Sequence, residues 1–89
     1  MMMNQLQDRL IMLMVLKRQG YRYIARAEHG ELRAYKEKPM KYINFWHVFG
    51  ELPHPIDQQN FEDVEWSDQK PLEIVKEIRK VQKALRCNA

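Results

Sequence analysis

The side chains that could do covalent or metal chemistry are few and scattered in this chain. His29, His47, His54 and Cys87 are the only soft-metal ligands. They lack the paired spacing, such as C-x2-C or H-x3-H, from which structural zinc sites are built, so no metal is expected. Gly20, Gly30 and Gly50 are isolated and each marks an element boundary, which leaves no Gly-rich phosphate loop. Nucleophilic catalysis needs a hydroxyl or thiol held by a base. Ser67 is the only serine, threonine is absent, and Ser67 is well placed as a helix cap. Glu62, Asp63 and Glu65 are dense enough for acid–base work, but no second catalytic element accompanies them. The expectation is a protein that binds and does not catalyse, without a cofactor.

Two stretches carry residue types suited to binding. Arg22, Arg26 and Arg33, interleaved with Ile24 and Tyr35, would make a basic and aromatic β-platform able to hold a phosphate backbone or a nucleotide, with Tyr35 stacking on a base. Lys76, Arg79, Lys80, Lys83 and Arg86 add a basic helix face. The second stretch is acidic: Asp57, Glu62, Asp63, Glu65 and Asp68 flank Phe61, Val64 and Trp66, and could meet a basic surface on a nucleic-acid-handling protein. The structural alternative is that the arginines pair with the acids of 62–65, or that the acidic stretch is only a solvated rim.

The elements that must position these residues follow from periodicity. Tyr21 to Tyr35 (YRYIARAEHGELRAY) reads as a β-hairpin turned at His29-Gly30, where Gly30 can take positive φ. A two-residue turn pairs Ala27 with Leu32 and Arg26 with Arg33, gathering Tyr21, Tyr23, Ala25, Ala27, Leu32 and Ala34 on one face. A three-residue turn with Gly30 in a bulge slips the pairing by one and moves Leu32 and Ala34 to the other face. The first is preferred for collecting the small and apolar residues on one side, although it sets Arg26 against Arg33.

Before the hairpin, Gln5 to Gln19 is expected to be helical, capped by Asn4, closed by Gly20 and preceded by a frayed 1–3. Its stripe is Leu6, Leu10, Leu13 and Met14, while Leu10 to Leu16 (LIMLMVL) is apolar all round. Seven residues cannot span a bilayer, which needs about twenty, and the flanks do not suit a signal peptide. That leaves a helix buried on two sides, or one that pairs with a second copy.

After the hairpin, Pro39 ends the second strand or sets it at an edge. Lys41 to Val48 (KYINFWHV) resembles a third strand, with Phe45 and Trp46 at the centre of the core. Residues 49–60 form a loop, and Phe61 to Trp66 a short last strand or an extended approach. A final helix is capped by Ser67 or Asp68, with Pro71 in its first turn and Leu72, Val75, Ile78, Val81 and Leu85 as its stripe. The fold class expected is α+β, in one domain over 1–89: N-terminal helix, antiparallel meander of three to four short strands, C-terminal helix. Both helices would cover one sheet face and leave the other for a partner.

Eighty-nine residues bury only about 60–65% of the unfolded surface, so the core is thin and association would help it. Net charge is +3, but it is unevenly spread. Residues 1–45 hold nine basic and four acidic side chains, 46–69 six acidic and no Lys or Arg, and 70–89 six basic and two acidic. Such blocks imply surfaces of opposite sign, unless folding brings them together. The single cysteine allows no intrachain disulfide and suits a reducing cytoplasm.

The order GYRYIAR, HGELRAYKEKP, a tryptophan at 46 and VEWSDQKPLEI resembles a group of short uncharacterised phage and prophage proteins of Gram-positive bacteria. Their pattern is an N-terminal helix, G-Y-x-Y-I-A-R, an N-G-E-L or D-G-E-L turn, A-Y-x-x-K-P and W-x-D-x-x-P before a helix. The resemblance covers roughly residues 13–78. It departs at His29, where the turn usually has Asn or Asp, and in the 46–61 loop, which is particular to this chain. The resemblance implies an accessory protein made in the cytoplasm of a bacterial host and offers no catalytic residues to carry over. It implies binding and inhibition of a host protein, such as a defence nuclease, or sequestration of a nucleotide signal. The charge layout keeps a direct nucleic-acid binder as the alternative. No membrane partner is expected, and a homodimer through the N-terminal helix is possible.

Overall fold

A computed structural model describes residues 2–50, 52–57 and 59–87. The elements in chain order are α1 (Met2–Arg18), β1 (Tyr23–Arg26), β2 (Leu32–Tyr35), β3 (Met40–Lys41), β4 (Trp46–His47), β5 (His54–Pro55), β6 (Leu72–Glu73) and α2 (Ile74–Cys87). The fold is α+β, as expected. α1 opens before Asn4, so that residue is inside the first turn and not at the cap; Met2 and Met3 belong to the helix, and Met1 lies outside the described residues. Its end follows the expected chemistry. Gly20 takes φ 97°, Tyr21 N–H donates to Leu16 O at 2.9 Å and Gly20 N–H to Lys17 O at 3.0 Å, the Schellman pattern that satisfies the last carbonyls.

The central hairpin takes the three-residue turn. Tyr23 faces Tyr35, Ile24 faces Ala34, Ala25 faces Arg33 and Arg26 faces Leu32. Ala27 N–H donates to Glu31 O, and Gly30, at φ 103°, donates back to Ala27 O, both at 2.9 Å. The preferred two-residue register is therefore corrected. It assumed that one face is buried and one wet, whereas this sheet is buried on both. Ile24, Leu32 and Ala34 join Leu13, Leu16, Phe61, Val64, Ile74, Ile78 and Val81 in the helix-side core. Ala25 and Tyr35 join Trp46 on the opposite side, where Tyr23, Val48 and Trp66 pack around them. The slip also parts Arg26 from Arg33 and removes the like-charge pair.

β6 adds to β1 (Ile24 with Leu72, Tyr23 with Glu73) and β5 adds to β2 (Arg33 with Pro55, Ala34 with His54), so the sheet order is β5-β2-β1-β6 with every pair antiparallel. Leu72 and Glu73 are thus strand residues. α2 starts at Ile74, later than expected, and leaves Pro71 outside it; its buried positions are Ile74, Ile78 and Val81, while Val75 is exposed. Phe61 to Trp66 is a pair of turns and not a strand. It runs round the sheet from one core to the other, delivering Phe61 and Val64 to the helix side and Trp66 to the far side. The expected third strand over 41–48 is instead a hairpin of its own. Met40 pairs with His47 and Lys41 with Trp46 in a separate two-stranded sheet, and Tyr42 N–H donates to Phe45 O at 2.8 Å around Ile43-Asn44. This arm and the 66–68 segment cover the sheet face that was expected to be open.

Candidate functional site

The β3–β4 arm divides its rings between two jobs. Trp46 turns inward, buried against Ala25 and Tyr35, with its indole N–H donating to Arg26 O at 3.1 Å. The base of the arm is clamped by Lys41, whose ammonium lies 4.3 Å from the Trp66 ring centroid and 5.6 Å from that of Trp46. Lys41 Nζ also donates to the backbone carbonyls of Trp66 and Asp68.

The remaining arm residues turn to solvent. Tyr42 stacks on Phe45 with centroids 5.5 Å apart, His47 meets Tyr42 edge-on at 5.5 Å, and Phe49 closes the row against His47 at 4.7 Å. Met40, Tyr42, Phe45 and Phe49 are exposed, and Ile43 at the tip is 91% accessible. Phe45, expected in the core, is therefore corrected to a surface ring. These side chains form a run of exposed apolar surface along one side of the arm. Sequence reasoning missed it by reading 41–48 as one strand. Two signals pointed to it: Asn44, a turn former midway along the run, and more large apolar side chains than a core this thin can absorb.

The four residues of the expected basic platform do not share a surface. Arg22 is exposed just before β1. Arg26 lies on the helix side and is structural: its Nε donates to Val64 O at 2.6 Å, Nη1 to Gly30 O at 2.7 Å and Nη2 to Phe61 O at 3.1 Å. It pins the 61–64 turns to the hairpin tip. Arg33, on the far side, donates to Glu31 Oε2 at 2.9 Å, and that hydrogen bond, followed by the one to His29, lowers the Glu31 carboxyl to about 2. Tyr35 is 1% accessible; burial raises its phenol, and no base can stack on it. The platform is corrected accordingly, because the observed register sets Arg26 and Arg33 on opposite faces.

The acidic segment is largely occupied with its own turns. Asp57 Oδ1 accepts from Gln59 N–H and Asp68 Oδ2 from Glu65 N–H, each at 3.0 Å, and Ser67 Oγ donates to Glu65 at 3.2 Å. Glu62 is exposed. Asp63 is claimed by Arg9, a residue the sequence reading did not single out. Arg9 is buried and donates to Asp63 Oδ1 at 2.6 Å and Oδ2 at 3.1 Å, to Glu77 Oε2 at 2.9 and 3.1 Å, and to Asn60 O at 2.8 Å. Burial raises the Asp63 carboxyl, but the Arg9 hydrogen bonds and charge outweigh that and leave it below its usual value. The expected pairing of Arg22, Arg26 and Arg33 with the acids of 62–65 is corrected: the arginine that takes Asp63 is Arg9, and Arg26 reaches the backbone carbonyls of Phe61 and Val64. Nothing in the local pattern marks Arg9, which sits between Asp8 and Leu10 on a helix; only its contacts, more than fifty residues away in sequence, give it a role.

Fold and site together describe a small α+β domain, its sheet covered on both faces, with an exposed aromatic arm. Among the described residues no helix is long and apolar enough to cross a membrane. A scan against protein-family models and searches of curated proteins and of solved structures give no significant match.

Proposed function

We propose that this chain is a non-enzymatic phage or prophage accessory protein, acting in the cytoplasm of a bacterial host, that binds and inhibits a host protein through the β3–β4 arm. The phage assignment rests on the resemblance of GYRYIAR, HGELRAYKEKP and VEWSDQKPLEI to that group. The binding reading rests on one observation, the row Tyr42–Phe45–His47–Phe49 with Ile43 bare at its tip. The patch is better suited to a protein than to a nucleic acid. Tyr42 and Phe45 stack on each other, at 18° between ring planes, and Met40 and Ile43 add aliphatic surface that fits an apolar pocket and gives nothing to a base. Aromatic rings and methionine are among the residue types enriched at protein interfaces, and tyrosine among those enriched at their hot spots.

Affinity capture from lysate of a Gram-positive host tests the reading, with wild type and Ile43→Asp run side by side. A host protein held by wild type and lost by the variant, at an unchanged unfolding midpoint, is the expected result. Equal capture by both chains, or none by either, would overturn it. Inhibition is read separately: expression of wild type should restore phage growth on a host carrying the matching defence, and Ile43→Asp should not.

A second reading, direct nucleic-acid binding, keeps one observation. Arg22, Lys76 and Arg79 line a single cleft beside Tyr23, although Lys76 is shared with Glu73 at 2.8 Å. Three phosphate contacts would give a slope of about −3 in log affinity against log salt on duplex DNA. No mobility shift with DNA or RNA at low salt would remove this reading.

A further inference from the structure

The outer face of α1 is the second apolar surface of the molecule, and it lies across the sheet from the arm. Leu13 and Leu16 point into the helix-side core, with Leu6, Leu10 and Met12 packed against it. The other side of the same run carries Ile11, 60% accessible, with Met14 and Val15 about half exposed. Met14 also lines a groove with Val75 and Ile78 of α2, rimmed by Lys17, Arg18 and Arg79. Hydrophobic residues that one helix shows on both sides are two seams, and the sheet and α2 fill only one.

We infer that the occupant of the second seam is another copy of this chain, with the two α1 helices packed antiparallel about a two-fold axis level with residue 13. The helix carries its own complement. Asp8, Ile11, Val15 and Arg18 recur at intervals of three and four along the exposed side, so they form one stripe with an acid at its N-terminal end and a base at its C-terminal end. Reversed against itself, the stripe sets Ile11 against Val15 of the second copy and Asp8 against its Arg18, each contact made twice, as an isologous interface requires. A parallel pair would put Asp8 on Asp8 and Arg18 on Arg18, and would also align the helix dipoles unfavourably. A membrane surface fits less well, because Asp8 sits on the stripe that an anionic bilayer would meet. Lys17 and Arg79 stay at the rim, in water. The inference is independent of the arm and of any host partner.

The test is solution mass by sedimentation equilibrium from low micromolar to near-millimolar concentration, for the full chain and four variants. Wild type should move reversibly from 10.8 kDa toward twice that mass. Val15→Glu, on an exposed position, should stay at monomer mass with an unchanged helical circular dichroism spectrum. Asp8→Arg alone and Arg18→Asp alone should each weaken association at least tenfold, and the double variant should restore it. An equimolar mixture of the two single variants should form a heterodimer, because one chain then carries two bases on its stripe and the other two acids. A wild type that stays at monomer mass throughout would overturn the inference. So would a dimer indifferent to both charge changes.

Discussion

Arg9 joins three parts of the chain that are distant in sequence. Its guanidinium takes Asp63 in a bidentate fork, holds Glu77 of α2, reaches the carbonyl of Asn60 and lies 4.9 Å from the Phe61 centroid. The two acids do not count equally. Glu77 is mostly buried and Asp63 is 67% accessible at its side chain, so water already solvates one and hardly touches the other. Arg9→Met strands Glu77 in a dry site and should cost about 3 kcal/mol, in the range found when a buried pair loses one member. Asp63→Asn gives up a screened pair and should cost less than about 1 kcal/mol. Urea denaturation of both variants checks the ranking, and equal losses would mean that the pairing with Asp63 dominates. Glu31 gives the pH-dependent counterpart. The Arg33 hydrogen bond, then that of His29, brings its carboxyl from 4.5 down to about 2. The folded value lies below the unfolded one, so the contribution of ionised Glu31 is complete above pH 4.5 and disappears as pH falls toward 2. Carboxyl NMR should find the Glu31 midpoint near 2 in wild type and nearer 4.5 in Arg33→Gln.

At the scale of elements, Gly30 shows how a turn sets the placement of everything beyond it. A Cβ there would meet nothing within 4 Å, so any cost of substitution comes from the backbone at φ 103°. Gly30→Ala should lower stability by about 1 kcal/mol or somewhat more, and Gly30→Asn by less, because Asn tolerates left-handed φ better than Ala. Thermal unfolding of the two variants would measure the difference. The same turn marks the limit of what the sequence could tell. Both helices, the Gly20 stop and the hairpin from Tyr21 to Tyr35 were legible because each has a local signature: period, cap, or a glycine where φ must be positive. The register was not, since choosing it requires knowing that Ala25 and Tyr35 face a second core as dry as the one around Ile24 and Leu32. β5 and β6 are two residues each and owe their existence to the strand beside them, so His54 and Leu72 carry no strand signal of their own. The arm was hidden for a related reason. Alternation along a strand sets Trp46 and Phe45 on opposite faces, but nothing local says that only the Trp46 face meets a core.

Across the whole molecule, the two sides of the sheet are unequal in a way that can be followed spectroscopically. The helix side holds most of the fully buried aliphatic side chains, together with Phe61 and the Arg9 cluster. The far side holds Ala25, Tyr35 and Trp46, with Trp66 edge-on to Trp46 at 6.2 Å, under an arm of two-residue strands. Cooperative units that bury little apolar surface open at a lower free energy than the global transition. Lifting the arm exposes two indoles and breaks the Lys41 clamp, yet leaves β1, β2 and both helices packed. Both tryptophans of the chain, Trp46 and Trp66, lie in the smaller core, so tryptophan emission reports on that side alone and helical circular dichroism reports on the other. The two signals should therefore part under urea, with the emission red-shift preceding the loss of ellipticity, which is a departure from two-state behaviour. Lys41→Ala should widen the gap by lowering the emission midpoint only. Coincident curves in wild type would mean that the arm is as firmly held as the helices. A partner that grips Ile43 and Phe49 should close the gap from the other direction, because binding to the closed arm adds its free energy to the weaker side of the sheet and leaves the helix side where it was.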